Sequence, residues 1–227
     1  VNHPVVNSTK IIIFLGNSGP LQPNPPLFVI PLNKNRCGTM SSILRAHIEQ
    51  IVPLTNDEFD FVLQHFTAKK FKKHQLIIQE GDLVKNDYFL LSGLMHSSHT
   101  SAEGKEYILQ FAMQGWWITD PQAYHHQTPA TLSVSCLEDS ETLYITLNNR
   151  EKLCRELQKM EYFFRKQTTA GYIELQKRTL CLISTTAKHR YENLLEQFPG
   201  LIQRVPKSLI ASYLGVTRET LSRLSVS

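Results

Sequence analysis

The stretch Val205-Pro-Lys-Ser-Leu-Ile-Ala-Ser-Tyr-Leu-Gly-Val-Thr-Arg-Glu-Thr-Leu-Ser-Arg-Leu-Ser-Val226 decides how this chain of 227 residues is read. It reads as two short helices across a glycine turn. Pro206 suits a first helical position, where a missing N–H costs nothing. Leu209, Ile210, Tyr213 and Leu214 recur at helical spacing and predict one buried face. Gly215 is the residue best able to take the left-handed conformation that ends a helix. Thr217 is a good N-cap for the second helix, and Val216 with Leu221 fits a hydrophobic staple. Leu221 and Leu224 then point inward, while Arg218, Glu219, Ser222 and Arg223 share the outer face.

That outer face has a specific chemistry. An arginine fork can donate to O6 and N7 of guanine, and a glutamate can accept from N4 of cytosine. A glutamate between two arginines is a poor phosphate binder because it repels the backbone. It makes sense on a helix that lies in the major groove. The plain alternative is a charge-balanced helix in an ordinary helical hairpin. Segment charge favours DNA: Arg204, Lys207, Arg218 and Arg223 stand against Glu219 alone. Lys207 is expected on phosphate, and Thr217 beside the bases it helps to present.

Composition is that of a globular protein, and no apolar run approaches a membrane span of ~18 residues. The four cysteines, Cys37, Cys136, Cys154 and Cys181, have no CxxC spacing, so free thiols in a reducing cytoplasm are expected. Three of the four net positive charges come from Lys10, Lys34 and Arg36 in residues 1–40, which hold no acid. The rest of the chain is nearly neutral. This suits a binder with a small basic footprint rather than a general coater of nucleic acid.

Residues 1–40 carry six of the eleven prolines and no helical or strand period. They are expected to form a disordered leader, with translation starting at Met40, where globular patterning begins. Residues 42–66 read as two helices, the second capped by Thr55 with Glu58 in a capping box. Between 69 and 146 eight short strands alternate with polar turns, the cadence of a barrel or sandwich. They are expected at 69–72, 75–79, 87–91, 94–100, 106–113, 116–119, 130–136 and 141–146. A long helix is predicted from about Asn148 to Lys188. Leu157, Met160, Phe164, Thr168, Gly171, Leu175 and Leu182 lie near a 3.5-residue repeat, read as a dimer seam or as packing on the chain's own barrel.

This order resembles the Crp–Fnr family of bacterial transcription regulators over residues 41–227. Gly215-Val-Thr-Arg-Glu-Thr-Leu-Ser-Arg-Leu224 looks like the family's recognition helix. Gln79-Glu-Gly-Asp82 and Tyr88-Phe-Leu-Leu-Ser-Gly93 look like its β-roll signatures. Glu103-Gly-Lys-Glu-Tyr-Ile-Leu-Gln-Phe111 with Trp116-Trp-Ile-Thr-Asp120 resembles a Bacteroidetes-type branch. The resemblance implies an α+β fold in four parts: a leader at 1–40, a β-roll sensor at 41–157, a dimerisation helix at 158–188 and a helix-turn-helix at 189–227. It further implies a cytoplasmic homodimer on a palindromic TGTGA- or TTGAT-like site, working with RNA polymerase under a small-molecule effector. Arg218, Glu219 and Arg223 fall on the family's base-contacting positions, and Ser222 where some members add a contact. Relatives usually continue past this helix with basic residues, whereas Ser225-Val-Ser227 follows here. The alternative reading is therefore a ligand- or protein-binding module with impaired DNA binding.

In this resemblance a cyclic nucleotide is held by a Gly-Glu pair and an arginine, because a buried phosphate needs a fixed cationic fork. Here Gly115-Trp116 replaces Gly-Glu, Thr131 or a neighbour stands at the arginine position, and no arginine occurs from 46 to 149. Cyclic AMP is not expected to bind in the usual manner. No cysteine cluster suits an iron–sulfur centre. His96, His99, His125 and His126 are read as surface residues, so neither metal nor cofactor is expected. An effector pocket, if used, is expected from Phe89, Leu91, Leu109, Phe111, Trp116 and Trp117. No phosphate loop, nucleophile elbow, HExxH or paired-carboxylate motif points to an enzyme.

Overall fold

The computed structural model describes residues 39–224. Most of the expected leader, Cys37 within it, and Ser225–Ser227 lie outside the described residues. Two helices open the described chain, α1 (Thr39–Glu49) and α2 (Asn56–Leu63). Thr55 and Glu58 cap α2 reciprocally, as the spacing predicts.

Eight strands follow: β1 (Thr67–Phe71), β2 (Leu76–Ile78), β3 (Asn86–Ser92), β4 (Met95–Thr100), β5 (Glu106–Ala112), β6 (Trp117–Ile118), β7 (Ser133–Cys136) and β8 (Ser140–Thr146). They form two antiparallel four-stranded sheets, ordered β1-β8-β3-β6 and β2-β7-β4-β5. Side chains alternate across β3, which fixes what each sheet face covers. Tyr88 and Leu90 point into the roll against Met95, Ile118, Tyr124 and Val134. Phe89 and Leu91 point the other way, onto Leu44, Ile48 and Val62 of the opening helices.

A six-residue helix, α3 (Pro121–His126), interrupts the strands and has no counterpart in the strand reading. Asp120 caps it, Pro121 sits in its first turn, and Gln127 ends it at φ 53° in the left-handed region.

The long helix expected from 148 to 188 is divided into α4 (Leu147–Glu156), α5 (Gln158–Ser184) and the start of α6 (Ala187–Gln197). Leu157 takes an extended backbone, φ −129° and ψ 93°, which turns the chain so that Leu153, Met160, Phe163 and Phe164 reach the same core as Phe89. Thr185 is extended and the Thr186 hydroxyl caps α6 by accepting from the His189 amide. After α7 (Leu201–Arg204) come α8 (Lys207–Leu214) and α9 (Arg218–Leu224).

The seam expectation needs correcting at Met160 and Phe164, whereas Thr168, Gly171, Leu175 and Leu182 are exposed. Met160 and Phe164 are buried in the chain's own core and Arg150 stacks on the Phe164 ring at 4.1 Å. At 100° per residue, Gly171, Leu175 and Leu182 lie on that same side of α5. The opposite side carries Tyr162, Thr169, Ile173, Gln176, Leu180 and Ile183, all exposed.

Candidate nucleic-acid interface

The last two helices meet the local chemistry that the sequence implies, with one shift. Pro206 stands at the N-cap of α8, one residue before the first helical position. Gly215 adopts φ 67° and its amide bonds back to Ala211 and Ser212. The Thr217 hydroxyl accepts from the Thr220 amide at 3.2 Å and so opens α9. Leu221 is buried and Val216 half-buried in the same cluster, as a staple requires.

Burial divides α9 cleanly. Leu221 faces the core with Ile210, Ala211 and Leu214 of α8, whereas Arg218, Glu219, Ser222 and Arg223 are exposed together. Thr217 and Lys207 are exposed as well. Its own amide and the Thr217 hydroxyl hold the Glu219 carboxyl below the usual range, and Arg218 and Arg223 add to this. Glu219 therefore presents a charged acceptor at neutral pH.

Arg204 does not join this face. Its guanidinium grips Glu138 through both carboxylate oxygens, at 2.8 and 2.6 Å, and donates to the Gly93 carbonyl at 3.1 Å. Its charge is matched within the chain, and the basic surplus near the last two helices is smaller than the sequence count implied.

Helices α8 and α9 are seated on the β-roll. Leu94, Ile108, Phe111 and Leu137 from the roll form one cluster with Leu194, Leu201, Ile210 and Leu214. Trp116 meets Phe198 edge-on at 5.5 Å, and Phe111 meets Tyr213 at 5.2 Å. The sheet β2-β7-β4-β5 thus has its own helical layer, which sequence periodicity alone does not reveal.

The six residues expected to line an effector pocket do not converge. Phe89, Leu91 and Trp117 belong to the cluster beneath α1 and α2, and the Trp117 indole donates to His47 at 3.2 Å. Phe111 belongs to the cluster under α8, Trp116 packs against the roll interior and Phe198, and Leu109 is exposed. Strand alternation sends neighbours such as Phe89 and Leu90 to opposite sides of one sheet, so an aromatic-rich segment need not line one cavity. His96 also departs from its surface reading: it is buried on β4, 3.5 Å from Glu106, and burial lowers its pKa. His99, His125 and His126 are exposed.

Where an arginine was sought in the roll, the structure puts a carboxylate instead. Asp120 is buried and accepts from the Thr131 amide at 2.6 Å, the Thr131 hydroxyl at 2.8 Å and the Ala123 amide at 3.1 Å. Arg150, the first arginine after residue 45, pairs with the buried Asp87 at 3.3 Å from α4. Burial pushes the Asp87 carboxyl up to about 6 against the pull of Arg150. A cleft of about 580 Å³ opens beside this pair, between α3, α4 and α5, with Arg150, Cys154, Phe164 and Thr168 among its walls. Burial pushes the Cys154 thiol up to about 12, so it is an unreactive lining group. No described helix is long and apolar enough to cross a membrane.

Comparison with known proteins agrees with this architecture. Residues 68–157 match the family described as Cyclic nucleotide-binding domain. The Anaerobic regulatory protein of Bacillus subtilis (strain 168) is 25% identical over 99 residues, 44% of this chain and 42% of that protein. The match therefore spans less than half the length of that relative. FixK2 from Bradyrhizobium japonicum is similar in structure with a TM-score of 0.61 at 18% identity, over 71% of this chain and 83% of that one. The c-di-GMP-responsive global regulator CLP of Xanthomonas campestris gives 0.62 at 14% identity, over 75% and 89%. Residues 68–157 thus carry the cyclic nucleotide-binding domain signature, within a fold shared with FixK2 and the regulator CLP.

Proposed function

We propose that this chain is a sequence-specific DNA-binding transcription regulator of the Crp–Fnr type, with α9 as the helix that enters the major groove. The observation that carries the reading is the division of α9: one face is held in a core by Leu221, and the other offers Arg218, Glu219, Ser222 and Arg223 to solvent. Two guanidinium forks flanking a charged carboxylate match the donor and acceptor pattern of G·C pairs. Lys207 at the start of α8 is the phosphate contact.

Such a helix reads two half-sites when it is paired by a two-fold axis. Helix α5 supports that pairing. From Gly171 to Leu180 every residue but Arg178 is exposed, and an isolated helix so bare is marginal in water. The partner seam runs along Tyr162, Thr169, Ile173, Gln176, Leu180 and Ile183, which recur at spacings of three, four and seven. A second copy of this chain is the occupant. The regulated process is transcription by RNA polymerase, under an effector whose class the dispersed aromatic residues do not define.

A gel-shift series on duplexes carrying inverted TGTGA or TTGAT half-sites tests the reading. Retardation at a salt concentration where a scrambled duplex is unbound supports it. Equal retardation of both duplexes, or none of either, removes it.

A further inference from the structure

Strand β5 is the last in its sheet, so among the described residues one edge of its backbone has no strand beside it. Glu106 and Ile108 stand two residues apart and turn their polar groups to that edge. Side chains close it instead. The Ile108 amide donates to the Ser212 hydroxyl at 3.1 Å, and that hydroxyl donates to the Glu106 carbonyl at 2.7 Å. The Ile108 carbonyl accepts from Arg178 at 3.0 Å.

The same guanidinium nitrogen of Arg178 donates to the Tyr213 carbonyl at 3.0 Å, and the guanidinium lies 3.7 Å from the centre of the Tyr213 ring. One side chain of α5 therefore holds the β-roll edge and the helix before the reading helix together. Arg178 lies about 180° around α5 from the exposed Leu180 and Ile173 stripe, given 100° per residue. The helix can engage a partner on one side while Arg178 holds this junction on the other. Gly215, at the turn between α8 and α9, lies next to Leu182 of the same helix.

We propose that Arg178 and Ser212 are positioning residues that lock α8 onto the β5 edge and so fix the orientation of α9 for two half-sites at once. The proposal rests on the DNA-reading function above and adds its regulation. A displacement of β5 moves the three hydrogen bonds as a set, and α8 with them. An edge closed by two side chains has a discrete alternative, in which water replaces Ser212 and Arg178, so the junction has two states that the roll can bias. Loosening it leaves each α9 able to read one half-site. What it removes is the rigid spacing that makes the second half-site an intramolecular contact.

The test compares wild type with Arg178→Gln/Ser212→Ala, and with Ser212→Ala and Ser212→Thr alone, on duplexes bearing one or two half-sites. Fluorescence anisotropy reads the affinities and circular dichroism confirms folding. The double variant should lose roughly tenfold on the two-site duplex and nothing on the one-site duplex. Ser212→Thr, which keeps the hydroxyl, should restore the ratio lost by Ser212→Ala. Hydrogen exchange at the Ile108 amide should quicken in Ser212→Ala. An unchanged two-site to one-site ratio, or an unchanged Ile108 exchange rate, overturns the coupling. A wild type that binds neither duplex is a different failure, that of the DNA-reading function itself.

Discussion

Asp120 accepts hydrogen bonds from both the amide and the hydroxyl of Thr131, at 2.6 and 2.8 Å, from a side chain that is 1% exposed. A third donor, the Ala123 amide, is satisfied by its other oxygen. Thr131 stands near where the resemblance places a phosphate-binding arginine. The donors on this side of the roll are matched to the chain's own carboxylate, and the nearest guanidinium in sequence, Arg150, is matched to Asp87. A cyclic phosphate arriving here meets a buried carboxyl group and no guanidinium fork to hold it.

Cyclic AMP is therefore expected to show no micromolar binding by calorimetric titration. Asp120→Asn tests the carboxylate's structural role separately. It puts an amide donor against donors that are already buried, at a cost of about 1–3 kcal/mol in urea unfolding. A titration with micromolar affinity, or an Asp120→Asn variant as stable as wild type, contradicts this account of the roll.

The seam on α5 gives a contrast between two aspartate substitutions. Ile183 is 76% exposed, so Ile183→Asp should leave the protomer folded and convert the dimer to monomer in sedimentation. Phe164 is 4% exposed among Met160, Phe89 and Trp117, so Phe164→Asp should unfold the protein, losing at least ~3–5 kcal/mol. A folded dimer in the Ile183→Asp variant would place the seam elsewhere.

Much of the fold was legible because its signals are local. All eight strands occur where alternation and polar turns put them, and Gly215 takes the left-handed turn its position implied. Helix α3 fills the gap between the strands expected at 116–119 and 130–136, where Asp120-Pro121 is a helix-start signal that the strand reading left unused. The seam expectation fails at Met160 and Phe164 for a deeper reason. Periodicity at Met160, Phe164, Leu175 and Leu182 shows that a face is apolar, not which body covers it. The first two are covered by the chain's own core. The six expected effector residues are dispersed for a related reason, since alternation does not say which side of a sheet is the interior. Arg178 carries no motif at all: its role comes from a strand edge 70 residues away.

His47 gives the protein a pH-dependent element. Burial among Phe89, Trp117 and Phe163 pushes its pKa down to about 4, against a smaller upward pull from Gln167. In the unfolded chain it protonates near 6.5. The unfolded state thus binds the proton first, and the stability His47 supports at pH 7 is lost as pH falls from about 6.5 to about 4. Asp87 acts with the opposite sign, because its raised pKa makes stability fall as pH rises from about 4 to about 6. His47→Gln keeps an acceptor for the Trp117 indole and removes one of the two opposing slopes. Urea unfolding at pH 4.5 and 6.5 should show the variant losing less stability on acidification than wild type, by about 2 kcal/mol. Equal losses would mean that His47 titrates normally.

The proposed role of α9 makes the sharpest demand, because three substitutions around it should fail in three different ways. Arg223→Ala removes a fork from an exposed position on α9 and should cost ~1–3 kcal/mol at the cognate duplex, with preference relaxed at one base pair. Glu219→Ala removes a carboxylate held in its charged form, so non-specific binding should hold or rise while discrimination for C·G falls. Lys207→Ala acts at the start of α8, away from the base edges, and should weaken all sequences alike and lower the salt slope by roughly one. Binding isotherms on cognate and scrambled duplexes at two or more salt concentrations separate these responses. A uniform loss in all three variants would describe a basic surface, and α9 would not be lying in the groove.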